Sequence, residues 1–411
     1  MIDAQQKRAQ PLVAASYAYL KDLKQPLSNS QLARLPKDIT HSDFNFLDPN
    51  SQLAKADGVL ISASQFMGKD EKAYMNPIAE SAATVFGDNG AFRIISDQDY
   101  YKDKQTAVDI LKWMEANCHV GPMLDIPTAA IGKNPNFPTF KSTLDAYLLN
   151  ADAMLTARDK TSKMLLLNVM QGRTVDEFKR WYHAVKHFDT DGWAIGGDRR
   201  LCFASIIWFL HQLNTDNQLK EMKWLHVFGT FRFEMILGMT QIKRAVEAIT
   251  GCPITVTTDA STAMTILYER FGAYSGYHRN GDRLPVQQQT LPTHQRLAKS
   301  NEPFPYPGSA VSQLFKINSL CINRGAYEKV YSWDNLSRLI AVNHNIDFVL
   351  SAVDNLHHIM EKGGCGARKT IPAWILDLSG QAKDILKSKD PGFELKKRAH
   401  HLCKLVKTDY R

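Results

Sequence analysis

No run of about eighteen apolar residues occurs in this chain of 411 residues, so a membrane-spanning helix is not expected. The opening MIDAQQKRAQ reads as polar, without the apolar h-region of a secretory leader. Cysteine is scarce: six residues, at 118, 202, 252, 321, 365 and 403, with no CxxC pair among them. That pattern argues against a disulfide framework or an ordinary zinc knuckle and for reduced thiols in a cytoplasmic protein. No GxGxxG or GxxxxGK[ST] follows an apolar run, which removes the usual phosphate-cradling loops. The 13 histidines fall mostly in helical patterns, as at His183, His187, His357 and His358. A strand-end His cluster for a metal-dependent hydrolase is therefore missing as well.

What is present is the balance of a soluble globular chain, 44% apolar and 22% charged. Lys and Arg number 50 against 42 Asp and Glu, a formal charge of +8 that favours polyanionic partners. Seven short apolar runs read as strands: GVLIS (58–62), TVF (84–86), GPMLDI (121–126), MLLLNVM (164–170), GWAIG (192–196), WLHVF (224–228) and ITVTT (254–258). Between them lie segments with apolar residues three and four apart, including 104–117, 174–188, 199–213 and 234–250, which read as helices. Strict alternation predicts a parallel sheet, and this many repeats predict an α/β fold of the (β/α)8 TIM-barrel type over about residues 50–280. The stretch 280–310 is rich in Pro and Gln and reads as a connector. We place a boundary near 310. Residues 1–310 are then a barrel with an N-terminal leader segment, and 311–411 a helical, basic C-terminal region. That region holds helical patterns at 327–342 and 346–360 and the basic tail ELKKRAHHLCKLVKTDYR.

Barrels gather chemistry at the C-terminal ends of their strands. Those positions hold Asp88, Asp125, Gln171, Gly196-Gly197, Gly229 and Asp259, each separated from the next by one β/α unit. Carboxylates and a carboxamide match the donors and acceptors of a planar polar ring. Glycines let the backbone approach its edge. Phe92 and Phe228 adjoin the set and can sandwich a flat ring. Taken singly, each Asp is more often a helix cap, each Phe more often core. Their joint occurrence in one register favours a site.

These residues resemble the tRNA-guanine transglycosylases. FGDNGAF (86–92) is similar to that family's strand ending Asp-Ser-Gly-Gly-Phe/Tyr. VMQG (169–172) and DGWAIGG (191–197) resemble its Val-Gln-Gly and Gly-(Tyr/Phe)-Ala-Ile-Gly-Gly pair. MLDIP (123–127), HVFGT (226–230) and TTDAS (257–261) resemble its base-reading Asp strand, its base-bordering Gly and its nucleophile strand. The likeness covers roughly 58–275, with an echo to 345. The family's CxCxxC and His for zinc are reduced here to Cys321 in SLCINRGAY and His344 in NHN, too few soft ligands for a tetrahedral site, so no metal is expected. GDRR (197–200) replaces the small apolar residues that usually follow the Gly pair. A diverged barrel of this kind resembles the DNA-guanine transglycosylases (DpdA type) of phages and bacteria, with the main tRNA branch as the alternative.

The resemblance implies base exchange: guanine in DNA, or alternatively tRNA, replaced by a 7-deazaguanine base such as the 7-cyano form. It implies no redox or organic cofactor and no membrane partner, and is compatible with a homodimer. Asp259 is then the nucleophile and Asp88 the general acid–base. Asp125 and Gln171 read the base, with backbone contacts from Gly196, Gly197 and Gly229. Arg199 and Arg200, with Lys396, Lys397 and Arg398 of the tail, hold the nucleic-acid backbone. A glycoside hydrolase barrel also uses two carboxylates, more often Glu, and stands as the competing enzyme class.

Overall fold

In a computed structural model of the chain, eight parallel strands close into a barrel in sequence order. The structure describes residues 6–68, 78, 81, 83–229, 232–270, 272–292, 297, 299–320 and 333–405. The strands are β1 (Gln10–Ala14), β2 (Gly58–Ser62), β3 (Thr84–Asp88), β4 (Val120–Pro122), β5 (Leu165–Met170), β6 (Gly192–Ile195), β7 (Trp224–Val227) and β8 (Thr255–Ala260). β1 pairs in parallel with both β2 and β8, which closes the ring. Around it run α1 (Tyr17–Lys24), α2 (Lys104–Asn117), α3 (Phe140–Ala157), α4 (Val175–Val185), α5 (Phe203–Thr215), α6 (Phe233–Thr250) and α7 (Thr262–Arg270).

The seven expected strands are all present. The eighth, β1, lies in the segment read as a leader, so the barrel starts at residue 10 and not near 50. A proline in a short apolar run argues against a strand, and QPLVA carries Pro11. Pro11 sits near the start of β1, where a missing N–H is tolerated, and pairs in register with Thr258.

β5 shows why these runs become barrel strands. LLLNVM is buried almost throughout, because the barrel interior covers one face and helices the other. α4 supplies part of that cover. Phe178, Trp181, Tyr182 and Val185 are its buried stripe at three- and four-residue spacing. The Trp181 indole N–H donates to the Val169 carbonyl at 2.7 Å. Thr174 caps the helix by accepting from the Glu177 N–H.

Beyond the barrel, the expected connector holds a strand. β9 (Gly272–Tyr277) and β10 (Val286–Thr290) form an antiparallel hairpin. The two helical patterns after 310 are one helix in the described part, α8 (Asn335–Lys362). The polar triplet Asn343-His344-Asn345 does not break it, because each side chain finds a buried partner. Asn343 donates to the Phe44 carbonyl, and Asn345 to those of Ala263 and Gly272. His344 binds Ser309 and the Tyr274 carbonyl. α9 (Leu378–Lys387) and α10 (Pro391–Leu402) follow. One hydrophobic cluster runs from Ala9 to Leu405, so the boundary near 310 does not divide the core. Among the described residues, no helix is long and apolar enough to cross a membrane.

Candidate active site at the C-terminal mouth of the barrel

Asp88 is the last residue of β3 and pairs in register with Ser62 of β2. Phe86, two residues earlier, shares its face of the strand. Gly90 follows with φ +73°, and a Cβ there would stand 2.6 Å from the Ser64 Cβ. The chain can turn away sharply only because residue 90 is glycine. Burial pushes the Asp88 carboxyl up to about 6. The Ser62 hydroxyl and the Gly90 N–H oppose that shift, while Asp259 and Asp125 add to it. Asp88 thus does both: its carboxylate takes the Gly90 N–H of the turn and also lies near the carboxylates of Asp259 and Asp125.

Asp125 lies just past β4 and is gripped by two amides. Asn89 donates to its Oδ1 at 3.1 Å, and Gln171 to its Oδ2 at 2.6 Å. Asn89 is itself fixed, donating to the Met123 carbonyl at 2.8 Å and accepting from the Ala91 N–H at 2.9 Å. Burial raises the Asp125 pKa, and the Asn89 and Gln171 donors temper the rise. Gln171 packs against the Gly196-Gly197 turn. A Cβ on Gly197, whose φ is +66°, would meet Gln171 Oε1 at 2.7 Å. The Gly pair is therefore what admits the carboxamide.

Asp259 stands near the end of β8 and receives the Gly229 N–H on Oδ1 at 2.6 Å. Beneath it lies His226 of β7, fully buried, with Nε2 3.3 Å from the same oxygen. That contact is close but not aligned as a hydrogen bond. The imidazole is 4.2 Å from the Phe86 ring and 4.5 Å from the Phe228 ring, centroid to centroid. Its Nδ1 is 2.8 Å from Thr257 Oγ1, which also takes the Trp224 indole N–H at 2.9 Å.

Asp88, Asp125, Gln171, Gly196, Gly197, Phe228, Gly229 and Asp259 line one cavity of about 630 Å³, as do Phe92 and Arg200. The volume is that of an ordinary small-molecule site. Phe92 is 79% exposed, so it stands at the rim and not in the wall. Arg200 is half-buried and hydrogen-bonds the Gly197 carbonyl at 2.5 Å. Arg199 departs from expectation. It is 5% exposed and its Nε donates to the Arg173 carbonyl at 3.1 Å, an interior position that offers no open face to a phosphate. Lys396 and Lys397 are exposed on α10, whereas Arg398 pairs with Glu394 and Asp384.

Cys321 lies outside the described residues. His344 is buried, with Nδ1 2.7 Å from Ser309 Oγ and Nε2 2.8 Å from the Tyr274 carbonyl. A carbonyl only accepts, so Nε2 carries the hydrogen and Nδ1 accepts from Ser309. Both ring nitrogens are used within the protein, and burial pushes the ring down to about 4. Among the described residues, no group of three or more His, Cys, Asp and Glu side chains is arranged to hold a metal ion.

Sequence reasoning passed over Asn89, His226 and Ser62. Asn89 reads as a turn residue in DNG, and His226 as a lone polar residue in an apolar strand. Strand parity is the signal that finds His226: it lies two residues before Phe228. No family model matches the chain, and no curated protein matches it.

Proposed function

We propose that this protein is a base-exchange transglycosylase, replacing guanine in DNA with a 7-deazaguanine through a covalent Asp259–deoxyribose intermediate. One observation carries the reading: two carboxylates in contrasting settings open into one cavity beside an amide-braced third. Asp88 sits near pKa 6, so both its protonated and ionised forms are accessible at neutral pH. Asp259 is anchored through Oδ1 by the Gly229 N–H.

In the first half-reaction an Asp259 oxygen gives an electron pair to C1′. The C1′–N9 bond breaks, its electrons pass to guanine, and protonated Asp88 supplies the proton the base needs. In the second, ionised Asp88 takes the proton from the incoming base, whose nitrogen attacks C1′ and releases Asp259. Asp125, held by Asn89 and Gln171, keeps acceptor capacity for the N1–H and exocyclic amine of guanine. The target nucleotide must leave the stack to reach this depth. Arg200 at the cavity and the exposed Lys396 and Lys397 suit its phosphates. The Gly-Asp-Asn-Gly and Ala-Ile-Gly-Gly segments, similar to those of the guanine transglycosylases, support the same reading.

The test is exchange of radiolabelled guanine into duplex DNA, single-stranded DNA and tRNA in parallel. Incorporation into DNA is expected. Incorporation only into tRNA would move the reading to the RNA branch, and none into any polymer would end it.

A further inference from the structure

We infer that His226 is a positioning residue that holds Asp259 from below as a neutral imidazole with its hydrogen on Nε2, and is not a third acid or base. The catalytic consequence rests on the base-exchange reading; the ring's protonation pattern rests on hydrogen bonding alone.

The argument begins three side chains away. The Trp224 indole nitrogen can only donate, so at 2.9 Å it makes Thr257 Oγ1 an acceptor. Thr257 is fully buried, and its hydroxyl has one hydrogen of its own to place. The other partner on that oxygen is His226 Nδ1, at 2.8 Å. If Nδ1 carried a hydrogen, the Thr257 hydrogen would be stranded in the barrel interior, and buried polar groups are rarely left so. Thr257 therefore donates, Nδ1 accepts, and the neutral ring keeps its hydrogen on Nε2. An imidazolium would require the same stranded hydroxyl.

Nε2 is the atom 3.3 Å from Asp259 Oδ1. Two N–H groups thus converge on one oxygen of the nucleophile, from Gly229 and from His226, while Oδ2 has no hydrogen-bond partner among the described residues. The carboxylate is oriented with one oxygen held and the other available to bond C1′. The Nε2 contact, at 3.3 Å, is not aligned as a hydrogen bond; bound substrate would tighten it, as it commonly does for catalytic contacts. When the ester breaks, the same two donors receive the returning negative charge. Phe86 and Phe228 fix the ring on its faces and edges.

Long-range proton–nitrogen NMR on protein labelled with ¹⁵N-histidine, with His226 assigned by its loss in His226→Gln, reads the tautomer directly. A hydrogen on Nε2 alone is expected; one on Nδ1, or on both nitrogens at neutral pH, would overturn the inference. Kinetics give the second arm. His226→Phe keeps the ring shape without a donor and should lower kcat for exchange about 10²-fold, the size of a lost transition-state donor, with KM within about twofold. His226→Gln, which restores an N–H, should recover at least about tenfold of that loss. A His226→Phe enzyme with wild-type kcat would sink the positioning role. If that variant fails to fold, Thr257→Val stands in, and it should move the hydrogen off Nε2 in part of the population and lower kcat. Wild-type protein with the Nε2 tautomer but no exchange or adduct on DNA or tRNA would instead defeat the base-exchange reading.

Discussion

The two ends of the barrel treat carboxylates in opposite ways. At the N-terminal end Asp191, just before β6, binds Arg158 at 2.9 Å and Lys223 at 2.8 Å and accepts the Leu166 N–H at 3.1 Å. Burial alone would raise its pKa; Lys223, Leu166 and Arg158 outweigh burial and hold it below the usual range. Glu361 lies near the same end, between Arg8 and Arg244, and its pKa is likewise lowered, chiefly by Arg8. At the C-terminal end Asp88 and Asp125 are braced by hydroxyl, amide and backbone donors, and both are raised. All four are carboxylates on one fold. Cationic partners turn a partly exposed carboxylate into a structural tie; neutral donors leave the upward push of burial in place, to about 6 at Asp88. That is the division of labour expected of such barrels, stability below and chemistry above.

The comparison breaks most sharply at Asp259. Asp259→Ala should abolish both exchange and the denaturant-stable complex with guanine-containing DNA on a denaturing gel. A persistent adduct would place the nucleophile elsewhere, with Asp88 the first candidate. Asp88→Asn should slow exchange by about 10²–10⁴-fold, the usual size of a general acid–base contribution, while DNA binding persists. Its effect on stability has the opposite sign to that of a tie. A carboxyl raised to about 6 in the folded chain, from 3.8, favours folding while protonated and opposes it once ionised. The Asn variant should match the wild type below about pH 4 and exceed it above pH 6, by at most about 3 kcal/mol and less as solvent reaches the group. Denaturant melts at the two pH values read this directly. A variant less stable at pH 8 would show that Asp88 is a tie after all.

Asp191→Asn should do the reverse: kcat unchanged, and stability at pH 7 lower by about 1–3 kcal/mol, because three donors lose a charged acceptor. The lowered pKa means the wild type holds this contribution above about pH 4 and loses it as acid protonates the group. The variant's stability should therefore fall less steeply in acid. A drop in kcat at constant stability would erase the contrast between the two ends.

How much of this was legible in sequence follows from what each signal measures. Period and alternation report burial, so seven strands and helix α2 at 104–117 stood out. β1 did not, because five residues containing Pro11 carry too little pattern. Strand-end position reported Asp88, Asp125, Gln171 and Asp259, since the barrel's geometry is repetitive. It could not report the hydrogen bonds that set their chemistry. Asn89 grips Asp125 through a turn whose direction depends on Gly90 at positive φ. His226 matters only because β7 and β8 pair in the register that sets it beside Thr257. Arg199 and Arg200 are neighbours in sequence, yet one is interior and the other lines the cavity, a distinction made by the short 3-10 turn Asp198–Leu201.

The smallest expected effect separates the two aromatics, which sequence treated alike. Phe228 packs edge-on to Phe86 at 6.0 Å and against His226, so its ring is held in the cavity wall before any ligand arrives. Phe92 is 79% exposed on the short helical turn Ala91–Ile95, whose other side is anchored by buried Ala91 and Ile94. A ring already fixed gives its full stacking energy to the bound base, roughly 1–3 kcal/mol, because little side-chain freedom is lost on binding. A rim ring must first be immobilised, which costs about 0.5–1.5 kcal/mol of that gain. Phe228→Ala should therefore raise KM for free base about tenfold or more, and Phe92→Ala by a few-fold at most. Steady-state kinetics with free guanine and a fixed DNA concentration measure both. Equal increases would mean that Phe92 folds over the base when it binds, and the rim would then belong to the wall.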